Sequence, residues 1–211
     1  MVGVAHGKSI TTIQWFWYTT KYSADMIMKK QIFISLLMSC FTLTSFGSEL
    51  YQPCRIGMIV ETTPTSQFKD NNDGTITDLK TKLIWKKCIE GMIWQSSTNN
   101  CIDDTATEDM MTWQEALGKA TQLNASGGFA SAVSWRLPNI KELSSIIENA
   151  CYGPSINLNV FPDSPSGIFW SSTPYIGAND YAWSVRFNYG QNSMNYKYDY
   201  YFARLVRDPN L

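Results

Sequence analysis

From residue 68 onward, polar and apolar positions alternate with a strand period, then a helical period, then a strand period again. Phe68 to Asp78 holds Asp73-Gly74 between β-forming residues, which is the turn chemistry of a tight hairpin. The return strand is expected to continue through Leu83, Ile84 and Trp85 to Cys88. Thr112-Trp113-Gln114-Glu115 reads as a capping box, with the Thr112 hydroxyl and the Glu115 carboxylate serving first-turn amides. Trp113, Ala116, Leu117, Ala120 and Leu123 then share one helical face, and Gly127-Gly128 ends the helix. A second helix opens at Leu137-Pro138-Asn139, with Asn139 as cap and Glu142 at the third helical position. Ile140, Leu143, Ile146, Ile147 and Ala150 form its apolar stripe. Both helices are short and one-sided, so each needs an apolar surface to lie on.

The C-terminal third supplies that surface. Phe169 to Thr173 reads as a strand. Tyr181, Trp183, Val185 and Phe187 alternate with Ala182, Ser184 and Arg186. Gly190-Gln191-Asn192 reads as a turn, Ser193 to Tyr198 as the returning strand, and Tyr201 to Arg207 as the last strand. Helices in the middle and strands at both ends predict an α+β fold: two helices on a mainly antiparallel sheet, with the N- and C-terminal strands near each other. The tryptophans Trp85, Trp113, Trp135, Trp170 and Trp183 fall within these patterns and are expected in the core. Arg136 and Glu142 can pair across the start of the second helix.

The N-terminal part reads as an address. Met28-Lys29-Lys30, an apolar run from Gln31 to Cys40, and small residues Ser45 and Gly47 make a secretory signal over 28–47, cut before Ser48. The 17 residues from 31 to 47, interrupted by Ser and Thr, are a poor membrane span, so no transmembrane segment is expected in the mature chain. A lipid-attachment box ending at Cys40 is the alternative, with Met38 atypical. Residues 1–27 precede a complete signal and read as a mis-called upstream extension, expected to be disordered. Residues 48–66 read as an extended lead-in to a domain over 67–211.

Composition narrows the chemistry. Among 211 residues there is one histidine, His6, upstream of the expected cut. A mature chain without histidine has no Ser-His-Asp machinery and no His-ligated metal. The net charge is -1, so there is no basic excess of the kind a nucleic-acid binder carries. From Ser48 onward 13 Lys/Arg face 17 Asp/Glu. Cleavage leaves Cys54, Cys88, Cys101 and Cys151, an even number that points to two disulfides in an exported domain. Three pairings are possible. Cys88 with Cys101 is the natural local pair, which leaves Cys54 with Cys151. A four-thiolate metal site lacks the usual Cys-x-x-Cys spacing. The acids between Asp70 and Asp78 invite a calcium reading, but Gly74 falls fifth and no glutamate closes the loop, so a tight hairpin is expected instead. Asp103, Asp104, Glu108 and Asp109 read as a solvated acidic loop, with weak divalent-cation binding as the alternative. No cofactor or metal is expected.

Phe68-x-Asp-Asn-x-Asp-Gly-Thr-x-Thr-Asp78, Thr112-Trp-Gln-Glu-Ala-Leu117, Trp135-Arg-Leu-Pro-Asn139, Glu142-Leu143, Phe161-Pro162, Trp170-Ser-Ser-Thr173, Ala182-Trp183 and Arg204-Leu-Val-Arg207 occur in this order. Together they resemble the Lcl C-terminal domain family, named for a collagen-like bacterial surface adhesin, over roughly residues 66–208. That resemblance implies a C-type-lectin-like fold, which also houses formylglycine-generating domains. It implies a secreted, periplasmic or surface-held, adhesin-like or lectin-like binding module that is not an enzyme. The collagen-like stalk, the Glu-Pro-Asn and Trp-Asn-Asp sugar elements and a positive charge are all missing here. The alternatives are a structural piece of a surface appendage and an enzyme of the formylglycine-generating type, whose copper-holding thiols would have to be free.

The most unusual stretch is Asn188 to Tyr201, with five tyrosines and three asparagines in 14 residues. Tyrosine offers rigid amphipathic contact area and asparagine adaptable hydrogen bonding, as in antibody paratopes. Candidate contact residues for an extracellular glycan or protein are Asn188, Tyr189, Asn192, Asn195, Tyr196 and Tyr198, with Tyr175, Asn179 and Asp180 on a neighbouring loop. Asn188, Tyr189, Asn192 and Asn195 are expected to be exposed, because turn residues flank them. The alternative is that alternate tyrosines pack the core. The tract also resembles the variable regions of lectin-like domains diversified by adenine-directed mutagenesis.

Overall fold

A computed structural model describes residues 52–105 and 110–209. The expected upstream extension, the signal segment with Cys40, and Glu108 and Asp109 of the acidic loop lie outside the described residues.

The fold is α+β, with mostly antiparallel sheets. A first sheet starts from β1 (Phe68–Asp70) and β2 (Thr75–Asp78), joined through Asp73-Gly74 as the turn chemistry requires. Gly74 has φ 84° and lies buried against the Trp94 and Phe129 rings, where a Cβ would sit under 3 Å from both. β2 does not run on to Cys88. Asp78 ends it: its carboxylate accepts from the Lys80 amide and the Thr81 hydroxyl, and its carbonyl from the Lys82 amide. Such a side-chain-stabilised turn outcompetes continued pairing. The chain comes back as β3 (Ile84–Lys86), antiparallel to β2.

A small hairpin, β4 (Met92–Gln95) and β5 (Asn100–Asp103), follows, and then β6 (Met110–Met111). Helix α1 (Trp113–Ala125) has the expected capping box at Thr112 and Glu115. Helix α2 (Ile140–Ser144) has one at Asn139 and Glu142, but it is only five residues long. The expected stripe still faces inward past its end, since Leu143, Ile146 and Ala150 are all buried.

The second sheet comprises β7 (Ile168–Pro174), β8 (Tyr181–Arg186), β9 (Gln191–Tyr196) and β10 (Tyr201–Phe202), with strand order β6-β10-β7-β8-β9. The β8–β9 turn is Phe187 to Gly190, and β9 already begins at Gln191, two residues before the expected Ser193. All pairings in this sheet are antiparallel except β10 with β7. The expected last strand is two: β10, and β11 (Val206–Arg207), which pairs with β3 in the first sheet. The N- and C-terminal strands therefore meet, as strand order suggests.

Arg204 is the reason for the break. It turns inward and is 1% exposed. Its guanidinium donates to the Lys86 and Lys87 carbonyls and to the Ser164 hydroxyl, and lies 4.7 Å from the Phe161 ring centre. Burial pulls its pKa down to about 9, with the Glu90 charge opposing.

Alternation along β7 and β8 feeds two cores. Phe169 and Val185 join Trp85, Leu143, Ile146 and Phe161 in one. Trp170 and Ala182 join Trp135, Leu137, Ala116 and Ala120 in the other. The second sheet is thus covered on both faces, and each fully buried aromatic contributes roughly 1.5–3 kcal/mol.

Both disulfides form with the expected pairing. Cys88–Cys101 closes a 13-residue separation and Cys54–Cys151 one of 97. On the chain-entropy model they contribute about 3 kcal/mol and somewhat more, respectively. Cys54–Cys151 anchors an arm, residues 52–63, whose backbone is not left free. Arg55 N–H donates to the Ala150 carbonyl, and the Glu148 carboxylate accepts from the Thr62 and Thr63 amides. Among the described residues, no helix is long and apolar enough to cross a membrane.

Candidate functional site

The candidate contact residues separate to two ends of one hairpin. Asn188 and Tyr189 lie in the β8–β9 turn, beside Asn192 at the start of β9. Tyr196 closes β9, Tyr198 follows it, and Tyr175, Asn179 and Asp180 belong to the β7–β8 connection. Five steps of β9 put about 17 Å between the two ends. One continuous site made of all nine residues does not exist.

At the Tyr196 end a surface is assembled. The β8–β9 register places Trp183 opposite Met194 and Tyr181 opposite Tyr196, with all four side chains on one sheet face. The Tyr181 and Tyr196 rings lie with centroids 4.1 Å apart, tilted by 36°. Tyr175 meets Trp183 edge-on at 5.4 Å. Tyr196 is 50% exposed and Met194 45%. Trp183, Tyr175 and Tyr181 are half-buried. Tyr181 has its pKa pushed up to about 12, first by its hydrogen bond with Tyr196 and then by burial and nearby acids, so it is a neutral phenol at physiological pH. The platform therefore offers aromatic faces, a thioether and phenolic hydroxyls.

The loop carrying Asn179 and Asp180 is pinned to this end. Lys197 donates its backbone N–H to the Asp180 carbonyl at 2.8 Å and its ammonium to the Asn179 carbonyl at 2.6 Å. The same ammonium sits 4.4 Å from the Trp113 ring centre. Tyr198 and Tyr200 project outward beside it. Tyr196, Tyr198 and Tyr200 are all exposed.

Asn195 is not exposed. It is 9% exposed on the opposite face of β9. Its Oδ1 accepts from the Ser184 and Ser193 hydroxyls, both at 2.8 Å, and its Nδ2 donates to the Tyr201 hydroxyl at 2.9 Å. Tyr201 in turn donates to Asp199, and burial followed by that carboxylate raises its pKa. Asn188 is half-buried as well, whereas Tyr189 and Asn192 are exposed as expected. Turn residues nearby say little about Asn195, because the strand period and not the turn sets its face.

Beside the start of β9 lies an open depression of about 610 Å³, lined by Thr62, Lys80, Ser144, Asn149, Gln191 and Asn192 among others. Ser144 donates to the Asn192 side chain at 2.8 Å, which ties α2 to β9. This depression is polar, and none of its lining residues belongs to the platform.

The remaining sequence candidates are accounted for structurally. Trp85, Trp135 and Trp170 are buried, and half-buried Trp113 packs against the second core as expected, whereas Trp183 is half-buried and belongs to neither core, contrary to its expected core placement. Trp183, Tyr181 and Met194 are the platform residues that sequence reasoning missed. The alternation of residues 181–187 marks one face but not which part of that face α2 covers. The acids of the first hairpin are committed: Asp70 accepts from the Lys87 ammonium at 2.5 Å, and Asp73 from the Thr75 amide and hydroxyl. Among the described residues, no cluster of His, Cys, Asp and Glu could hold a metal ion. Arg136 pairs with Glu142 through both terminal nitrogens, at 2.8 and 2.9 Å, and also with Asp208. The Glu142 hydrogen bonds raise the Arg136 pKa. Glu142 also closes the α2 capping box, so this network is architectural.

The family model for the Lcl C-terminal domain matches residues 74–207. None of the curated proteins matches the chain.

Proposed function

The chain belongs to the Lcl C-terminal domain family, which suggests a surface-associated domain, and from that premise we propose that it is an exported, non-catalytic binding module of C-type-lectin-like architecture. It captures a glycan or a protein surface on the platform of Tyr175, Tyr181, Trp183, Met194 and Tyr196. One observation carries this reading: the close Tyr181–Tyr196 pair and the Tyr175–Trp183 pair lie on one partly exposed sheet face. Aromatic and methionine side chains at a rim of hydrogen-bonding groups are the composition of recognition surfaces. Both disulfides support an oxidising, extracellular destination. They also occupy Cys54, Cys88, Cys101 and Cys151, which speaks against the free thiols that formylglycine-generating chemistry needs.

The test is an array of glycans and extracellular proteins probed with the oxidised chain and with Tyr196→Ala and Tyr175→Ala. Capture should fall at least tenfold in both variants while their melting temperatures stay within a few degrees of the parent. Capture unchanged by both substitutions would overturn the platform reading.

A further inference from the structure

The second sheet ends at β9, and among the described residues no strand covers its outer edge. One hydrogen bond tells which backbone groups that edge presents. Lys197 N–H donates to the Asp180 carbonyl, and bonded and non-bonded pairs alternate along an antiparallel ladder. Gln191, Ser193 and Asn195 therefore bond towards β8, while Asn192, Met194 and Tyr196 turn their N–H and C=O groups outward. The Tyr196 carbonyl is taken by the Asp199 amide at 2.9 Å. Both groups of Asn192, both of Met194 and the N–H of Tyr196 are left facing out.

Folded proteins usually blunt such an edge with lysine, proline, a bulge or a very short strand. β9 has none of these. It is six residues long, contains no charged residue and no proline, and stays in register with β8 through all six pairs. The three outward-bonding residues also place their side chains on the face of the aromatic platform, beside Val185, Trp183 and Tyr181. A strand laid along β9 would set alternate side chains on that same face, within contact of Met194 and Tyr196.

We propose that β9 is a strand-addition site for an extended, largely uncharged segment of a partner polypeptide, whose alternate side chains lie on the platform. The inference rests on the binding reading above and names its partner class. Main-chain hydrogen bonds would supply affinity and the aromatic face side-chain preference. Backbone amides repeating every roughly 6.8 Å along a strand match the spacing of the outward groups, and a glycan has no such alternation. A second folded copy fits less well. Two-fold pairing of β9 with itself engages six residues a side, against about 20–30 in a stable interface.

The experiment pans a display library of random eight-residue peptides against the full oxidised chain and counter-screens on Met194→Pro. That substitution removes one outward N–H that β8 does not use, a position where an edge strand tolerates proline. Selected peptides are also synthesised with N-methyl groups on odd or on even residues, which tests the same bonds with the protein unaltered. Peptide binding should weaken at least tenfold on Met194→Pro, and in one N-methyl register but not in the other. Should Met194→Pro fail to fold, the N-methyl pair decides alone. Equal binding in both registers, or no peptide above background, overturns the proposal. Array capture that needs Tyr196 but ignores Met194→Pro keeps the platform and overturns strand addition. Concentration-dependent dimerisation that Met194→Pro abolishes would give the edge to a second copy and overturn the partner segment.

Discussion

The Asn195 side-chain amide donates to the Tyr201 hydroxyl at 2.9 Å, linking β9 to a strand three places away in the same sheet. Its oxygen holds the Ser184 and Ser193 hydroxyls as well. A buried polar network is costly to interrupt, because each group left behind keeps its desolvation penalty. Asn195→Ala should therefore cost about 1–3 kcal/mol. Asn192→Ala removes a side chain that meets Ser144 at the surface, and should cost no more than about 0.5 kcal/mol. Thermal melts compare the two, and equal melting temperatures would show that the network contributes nothing.

Acid should loosen the N-terminal arm through Glu148. Burial opposes ionisation of this carboxylate, but the amides of Ala150, Thr63 and Thr62 and the Thr63 hydroxyl prevail and hold its pKa below the ordinary 4.5. A carboxylate with a lowered folded-state pKa stabilises fully above its unfolded value, and loses that contribution as pH falls through the folded one. The chain should thus lose stability on acidification below about pH 4.5. Glu148→Gln should be less stable than the parent at neutral pH and lose less of its stability on acidification. Parallel pH profiles for the two proteins would contradict this.

The two disulfides should open in sequence. Cys54 is exposed, whereas Cys88, Cys101 and Cys151 are buried. Thiol–disulfide exchange needs access to a sulfur, so a mild reductant should open Cys54–Cys151 in the folded chain and leave Cys88–Cys101 closed. Timed alkylation followed by peptide mass analysis reads the order, and simultaneous opening would contradict it.

Arg204 should tolerate no conservative replacement. Its guanidinium serves two backbone carbonyls and the Ser164 hydroxyl, and a lysine ammonium cannot span that set. Arg204→Lys should lower stability by about 3 kcal/mol or more, since the partners stay buried and the charge loses its fit. Urea unfolding measures this, and a midpoint near the parent's would refute the structural role.

Four features were legible from residues alone, because each is decided within a few positions of the chain or by simple pairing. The Asp73-Gly74 turn, the capping boxes at Thr112 and Asn139, the α+β order of elements and the Cys88–Cys101 and Cys54–Cys151 bridges all follow from local spacing, turn chemistry and cysteine arithmetic. The candidate site was legible only in part. Tyrosine enrichment marked Tyr196, and the neighbouring loop Tyr175, but Trp183 and Tyr181 were hidden in an ordinary strand pattern and Met194 was not among the candidates.

What only the tertiary structure decided is which side of each alternating strand meets protein and which meets solvent. Ala182 and Ser184 are as deeply buried as Val185, because the second sheet is covered on both faces by elements distant in sequence. Asn195 went inside for the same reason, and its face was chosen by what Ser184 and Tyr201 could offer it. The break between Phe202 and Val206 depended on carbonyls of Lys86 and Lys87, more than a hundred residues earlier, that Arg204 turns to meet. Periodicity records a strand's two faces, but burial depends on what packs above and below them, and the chain brings those partners together only when it folds.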